Sequence, residues 1–243
     1  TCGSRRDQCQ RSVAKRCEAL RNAGFTVIEM THKAAREPGN EHLAPNRTFI
    51  RDMISSILET PNLGRKDTVL ISLHGHGVHY DEITNNNEKV PRFYFCPADA
   101  SITGLETAND VTDLNFLIST DELYEALGHC KAATRLLIVD ACRNDPNRTE
   151  EFRSAPLASK TMPKLPPPPG GIVAFFSCKA SQMAIEDKDL GHGVFSHFLV
   201  QGLTGRADLP LEGSPADGIV TMSELTSYVA NNTYAHVLNK YKG

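Results

Sequence analysis

The sequence lacks four features that would each assign it to a broad class of protein. No apolar run approaches the roughly 18 residues that a membrane-spanning helix needs, and no signal peptide is visible. No basic block stands out, and the formal net charge of the 243-residue chain is -3. The seven cysteines form an odd set without dense spacing, which favours reduced thiols over a disulfide framework. We therefore expect a cytoplasmic protein that binds neither nucleic acid nor a membrane.

Apolar runs of strand length alternate along the chain with segments of helical period. We predict strands over residues 25–30, 67–77, 92–100, 135–142 and 172–178. We predict helices over residues 5–23 and 49–58, and two capping boxes, Ser119 with Glu122 and Thr221 with Glu224, predict the starts of two more. The alternation favours an α/β sandwich in which helices flank a mostly parallel sheet.

One long segment, residues 143–171, has neither helical nor strand periodicity and contains the proline run 166–169. Structureless connections longer than about 12 to 15 residues are usually functional or disordered. The apolar runs on either side share the same buried character, so we interpret the segment as a loop inside one domain rather than a linker between two. That domain spans residues 1–243, with 1–142 before the loop and 172–243 after it.

Two predicted strands end in side chains that can do chemistry. One ends in His74-Gly75-His76-Gly77 and the other in Asp140-Ala141-Cys142. Ligands of open α/β sheets bind outside the carboxyl ends of the strands, so we expect these two segments to meet there. A thiol becomes a competent nucleophile when a neighbouring imidazole helps to deprotonate it. A lone cysteine is more often a packing residue, which is our interpretation of Cys96, Cys130 and Cys178.

These segments resemble the caspase-like cysteine peptidases (clan CD, C14), particularly the prokaryotic metacaspase and paracaspase (orthocaspase) branch. The resemblance rests on four motifs in order, "LISLHGHG", "LLIVDACRN", "FFSCKASQMAIED" and "GHGVFSHFLVQGL", and covers about residues 5 to 235. It implies a three-layer caspase-like sandwich, endopeptidase activity, and protein or peptide substrates. That fold normally begins with a strand before its first helix, and this sequence begins almost at the helix. Either the sequence is truncated there or one edge of the sheet is absent.

The resemblance also implies roles for individual residues. His76 would be the general base, Cys142 the nucleophile, and the amides of Gly77 and Cys142 the oxyanion hole. His74 would be a supporting residue. No cofactor is implied. Calcium activation, which some metacaspases show, stays open, because acidic residues such as Asp81, Glu82 and Asp110 have no recognisable ligand spacing.

Asp140 departs from the glutamine that caspases carry two residues before the cysteine. The change resembles metacaspases and paracaspases, whose aspartate binds a basic P1 side chain. The same resemblance implies Glu186 as a second acidic pocket residue, with Asp187 a weaker candidate. A desolvated carboxylate needs a cation, and the planar fork of Arg fits two carboxylates better than Lys does. We therefore predict cleavage after Arg, then Lys.

Two points leave the assignment of this pocket's residues open. Asp140 has the alternative role of capping a loop amide. Ser12 stands where paracaspases supply a further acidic residue.

The 143–171 loop corresponds to the linker that many caspase relatives cut during activation. Its basic residues are therefore candidate self-cleavage sites: Arg143, Arg148, Arg153, Lys160 and Lys164. The alternative is that they are ordinary basic residues of an exposed loop.

Two other functions compete with peptidase activity. His74, His76 and His79 have a spacing close to that of metallo-β-lactamase-like enzymes, in which imidazoles bind zinc. Against this, Val78 stands where that family has aspartate. The other alternative is a catalytically inactive caspase-like scaffold. Such members typically lose the histidine or the cysteine, and this chain keeps both.

Overall fold

The computed structural model describes most of the chain, namely residues 13–83, 86, 88–100, 114–144, 167–177, 186–187, 189–190, 192–210 and 216–241. The chain divides into two compact units, which are described separately. Residues 30–183 form the sheet unit, and residues 1–29 with 184–243 form the helical unit. Among the helices that the structure describes, none is long and apolar enough to cross a membrane.

The described part of the sheet unit contains five strands: β1 (Thr68–Ile83), β2 (Lys89–Cys96), β3 (Ile118–Ser119), β4 (Thr134–Asn144) and β5 (Ile172–Phe176). They form one sheet in the spatial order β3-β2-β1-β4-β5. Strands β1, β4 and β5 are parallel to one another, whereas β2 and β3 join by antiparallel pairing. The predicted α/β class with a mostly parallel central sheet is therefore confirmed.

Within the described residues, five α-helices accompany the strands: α1 (residues 13–22), α2 (Arg47–Leu58), α3 (Thr120–His129), α4 (Val194–Gln201) and α5 (Met222–Tyr241). Helices α2 and α3 belong to the sheet unit. The helical unit holds the other three helices and a short hairpin of β6 (Glu186–Asp187) and β7 (His192–Gly193).

Both predicted capping boxes open helices. The Glu122 amide donates to Oγ of Ser119 at 3.1 Å, at the start of α3. At the start of α5, the Glu224 amide donates to Oγ1 of Thr221 at 3.3 Å, and the Thr221 amide donates to Oε2 of Glu224 at 2.7 Å. Each bond satisfies a backbone group that the helix itself leaves without a partner.

The main core lies on one face of the sheet, which we call the core face. It is formed by alternate strand residues and by helices α2 and α3, and it includes Ile50, Val69, Leu73, Phe93, Phe95, Leu123, Leu127, Leu137 and Val139. Leu136 and Ile138 of β4 belong to the opposite face and are also buried, at 4% and 1% exposure. The continuous apolar run of β4 thus reflects a strand that is covered on both faces.

Two predictions about strands are wrong. Residues 25–30, all described by the structure, lie in no strand, because an apolar run becomes a strand only where another strand pairs with its backbone. Strand β1 does not end at the histidine segment but continues to Ile83. It continues because β2 pairs with it from His76 onward, with His76 opposite Cys96.

Packing explains why position 75, in the His-Gly-His-Gly segment, is a glycine. A Cβ atom at Gly75 would lie 3.3 Å from Cε2 of the buried Phe95 ring. Gly75 therefore allows the ring to approach the backbone of β1 on the core face. Because side chains alternate along a strand, the flanking His74 and His76 belong to the opposite face.

Candidate active site

The parallel ladder between β1 and β4 brings the two chemistry-bearing segments together. Its register pairs the Cα atom of His74 with that of Asp140, and the Cα atom of His76 with that of Cys142. Neighbouring strands lie about 4.8 Å apart, so each pair occupies adjacent positions. The His76 side chain is exposed to solvent, whereas the side chain of Cys142 lies outside the described part of the structure.

A second cysteine also neighbours His76. Strand β2 pairs Cys96 with His76, so the histidine has a cysteine position in each adjacent strand. Cys96 packs against the apolar cluster of Val78 and Tyr94, and burial raises the pKa of its thiol to about 11. A thiol with that pKa forms little thiolate near neutral pH, which makes Cys96 a poor nucleophile. The sequence interpretation of Cys96 as a packing residue missed its position beside His76.

Asp140 is a buried carboxylate with an imidazole partner. Nδ1 of His74 lies 3.1 Å from Oδ2 of Asp140, and the two side chains are 15% and 4% exposed. Burying a charged carboxylate is costly unless a hydrogen-bond donor or a cation compensates it. His74 supplies such a donor from the paired position of the neighbouring strand.

The three histidines of the zinc-like pattern do not converge. His79 pairs with Phe93 of β2, and Phe93 belongs to the core face. Side chains alternate along a strand, and His74 and His76 are an odd number of residues from His79, so they lie on the opposite face of the sheet. Within the described ranges, no group of three or more His, Cys, Asp or Glu residues could hold a metal ion. The geometry of β1 thus argues against the metal-hydrolase alternative.

Strand β6 of the helical unit contains the other two acidic candidates for the P1 pocket, Glu186 and Asp187. The Glu186 side chain lies outside the described part of the structure. The Asp187 side chain is fully buried and accepts hydrogen bonds from Nε2 of His236 at 2.6 Å and Nζ of Lys240 at 2.5 Å. His236 and Lys240 of helix α5 already compensate the negative charge of Asp187. Asp187 is therefore better suited to a structural role within the helical unit.

Opposing effects set the ionisation of Asp187. Burial raises the pKa of its carboxyl, but hydrogen bonds from Lys240 and His236 outweigh burial and hold the pKa well below its usual range. The same contacts with Asp187, together with Asp189, raise the pKa of Lys240 above its usual value. A carboxyl with a lowered pKa stabilises the fold above its unfolded-state pKa, and that contribution disappears as the pH falls through the folded-state pKa.

The remaining predicted residues are placed as follows. Gly77 is buried in β1, where its Cα atom pairs with those of Phe95 in β2 and Arg143 in β4. Strand β4 continues to Asn144, so Arg143 lies in a paired strand. The other candidate self-cleavage sites and further residues named above lie outside the described residues: Ser12, Asp110, Arg148, Arg153, Lys160, Lys164 and Cys178. The side chains of Asp81, Glu82 and Arg143 lie outside them too.

A comparison with protein-family models matches residues 2–231 to the peptidase C14 caspase domain. The match covers nearly the whole chain, which therefore belongs to the caspase family of cysteine peptidases. A comparison with curated proteins gave no significant match. The family inferred from the four motifs is confirmed, and with it the caspase-like fold class.

We expect Asp187→Asn to lower the free energy of unfolding by roughly 1 to 3 kcal/mol at neutral pH, because it removes a buried charge that two donors face. The difference from wild type should shrink as the pH falls toward the range where the wild-type carboxyl is protonated. Urea unfolding at several pH values measures both effects.

The matched control is Asp189→Asn. Asp189 also binds Lys240, but its side chain is 83% exposed, and surface ion pairs contribute little to stability. Equal destabilisation by the two substitutions at neutral pH would contradict the role assigned to the buried carboxylate.

Proposed function

We propose that this chain is a cysteine endopeptidase of the metacaspase and paracaspase branch, with a His76–Cys142 dyad, that cleaves after Arg and, second, Lys. Membership of the caspase family supports peptidase chemistry. The observation that carries the residue assignment is the register of β1 and β4, in which His76 and Cys142 are Cα partners. The exposure of His76 also supports its access to a substrate.

The proposed mechanism uses His76 at three steps. The imidazole first takes the proton of the Cys142 thiol, and the thiolate attacks the scissile carbonyl carbon. The amides of Gly77 and Cys142 donate to the oxyanion that forms. His76 then donates its proton to the leaving amine, which departs and leaves an acyl-enzyme. His76 finally activates the water that hydrolyses the thioester and regenerates the thiol.

Asp140 is the proposed receptor of the P1 cation. It precedes Cys142 by two positions on β4, so the alternation of a strand assigns both positions to the same face. Its carboxylate is almost entirely buried, and a desolvated carboxylate binds a guanidinium or an ammonium strongly. Glu186 stays a second candidate for binding the P1 cation, because the sequence resemblance implies that role. Asp187 is less favoured because Lys240 and His236 already match its charge.

Matched fluorogenic peptides with Arg, Lys, Asp or Ala at P1 test this function. We expect wild type to cleave after Arg and Lys, and Cys142→Ala and His76→Ala each to lower kcat/KM by roughly 1000-fold or more. Cys96→Ala is the matched control and should stay close to wild type, because that thiol neighbours the same histidine but is held protonated. Iodoacetamide should abolish activity, and a metal chelator should not.

The same peptides test Asp140. Asp140→Asn keeps the shape of the side chain and an acceptor for His74 but removes the charge, so kcat/KM should fall for the Arg and Lys peptides and not for Ala. Preference for Asp at P1, or full activity without Cys142, would overturn the proposed function.

We also propose that the enzyme cuts itself in the 143–171 loop. The intact mass of wild type under active conditions should show fragments that end at Arg148, Arg153, Lys160 or Lys164, while Cys142→Ala stays whole. A cut after Arg143 is not expected, because a peptide bond in a paired strand is poorly available to a protease. If wild type also stays full length, self-processing is wrong.

A further inference from the structure

The hydroxyl of Ser177, the residue that follows β5, is buried and has no hydrogen-bond partner among the described residues. The amide of the same residue is satisfied, because it donates to the carbonyl oxygen of Val139 at 3.0 Å. Most buried polar groups in proteins are hydrogen-bonded, so an exception calls for an explanation such as strain, an ordered water or ion, or a functional role. The position of Ser177 in the sheet favours a functional role.

Ser177 lies beside Asp140 in the sheet. The register of β4 with β5 runs to Val139 opposite Phe176, and the bond from the Ser177 amide to Val139 extends this ladder by one residue. Val139 and Phe176 both pack in the main core, so the alternation of a strand assigns Asp140 and Ser177 to the opposite face. Neighbouring strands lie about 4.8 Å apart, which brings the two positions within reach of one cationic head group.

A hydroxyl next to a buried carboxylate suits the binding of a basic side chain. The head groups of Arg and Lys each carry several N–H donors, so donors remain after one of them has bonded to a carboxylate. A serine oxygen can accept such a bond through its lone pairs. Hydrogen bonds to charged groups are stronger than those between neutral groups.

We propose that the Ser177 hydroxyl is a specificity-determining group of the P1 site, where it accepts a hydrogen bond from the guanidinium or ammonium that Asp140 binds. This proposal rests on the proposed function, in which Asp140 receives the P1 side chain. The Asp140 side chain is only 4% exposed and the Ser177 hydroxyl is buried, so the entering cation displaces the atoms that cover both groups. The cation then supplies the hydrogen bond that an apolar P1 side chain cannot supply.

The test compares kcat/KM for matched peptides with Arg, Lys or Ala at P1. Ser177→Ala should lower kcat/KM roughly tenfold or more for the Arg and Lys peptides, the factor that corresponds to one hydrogen bond with a charged donor, and should leave it unchanged for the Ala peptide. Because the substitution removes a buried hydroxyl without a described partner, the Tm should stay at or above that of wild type. A purely structural role of Ser177 would instead lower the Tm and affect all three peptides alike.

Thr233→Ala in α5 is the matched control, because it also removes a buried hydroxyl that has no partner among the described residues, and it should leave the Arg-to-Ala and Lys-to-Ala ratios unchanged. If Ser177→Ala does not fold, Ser177→Cys should reproduce the loss, because a thiol is only a weak acceptor. Unchanged ratios in the Ser177 variants, or an equal fall in Thr233→Ala, overturn this proposal while wild type still cleaves after basic residues. If wild type itself does not cleave after Arg or Lys, the proposed function fails, and this proposal fails with it.

Discussion

The parallel pairing of β1 with β4 is the constraint on which the candidate site depends. The register is continuous from Thr68 opposite Thr134 to Val78 opposite Asn144. A slip of one residue would move every side chain of one strand to the other face and separate His74 from Asp140. Core residues help to hold this register, because Leu73 and Val139, which precede His74 and Asp140, are buried on the core face. The stability of the core thus determines the geometry of the site.

Catalysis and specificity are proposed to come from two residue pairs of this one ladder, separated by the pair of Gly75 and Ala141. In this proposal, the pair of His74 and Asp140 binds the P1 cation, and the pair of His76 and Cys142 supplies the nucleophile. Their environments differ, since Asp140 is almost completely buried whereas His76 is exposed. A buried carboxylate suits the recognition of a cation, and an exposed imidazole suits proton transfer at a substrate.

Local patterns in the sequence predicted much of the fold, because they depend on neighbours in the chain. The capping box of Ser119 and the apolar run of β4 are examples, and both are found in the structure. The features that were missed depend on pairing between distant segments. Neither the extension of β1 to Ile83 nor the position of Cys96 beside His76 follows from spacing, because both require the register with β2.

The candidate site likewise combines features that the sequence predicts with features that depend on contacts between distant segments. The chemical types of its residues and the meeting of their two segments could be inferred from strand ends and motifs. The contact between His74 and Asp140 joins residues 66 positions apart, and Asp187 meets Lys240 across 53 positions. Such contacts arise from tertiary packing, which propensity and periodicity do not encode. The four motifs were enough to identify the family. The hydrogen-bond partners of each carboxylate could be identified only from the three-dimensional structure.

The central claim is that His76 activates Cys142 across the β1–β4 ladder. The most direct measurement is the rate at which iodoacetamide alkylates Cys142 at neutral pH, with the labelled residue identified by mass spectrometry. We expect rapid labelling of Cys142 in wild type, labelling at least about tenfold slower in His76→Ala, and little label on Cys96, whose thiol has a raised pKa. Equal rates in wild type and His76→Ala, or preferential labelling of Cys96, would contradict it.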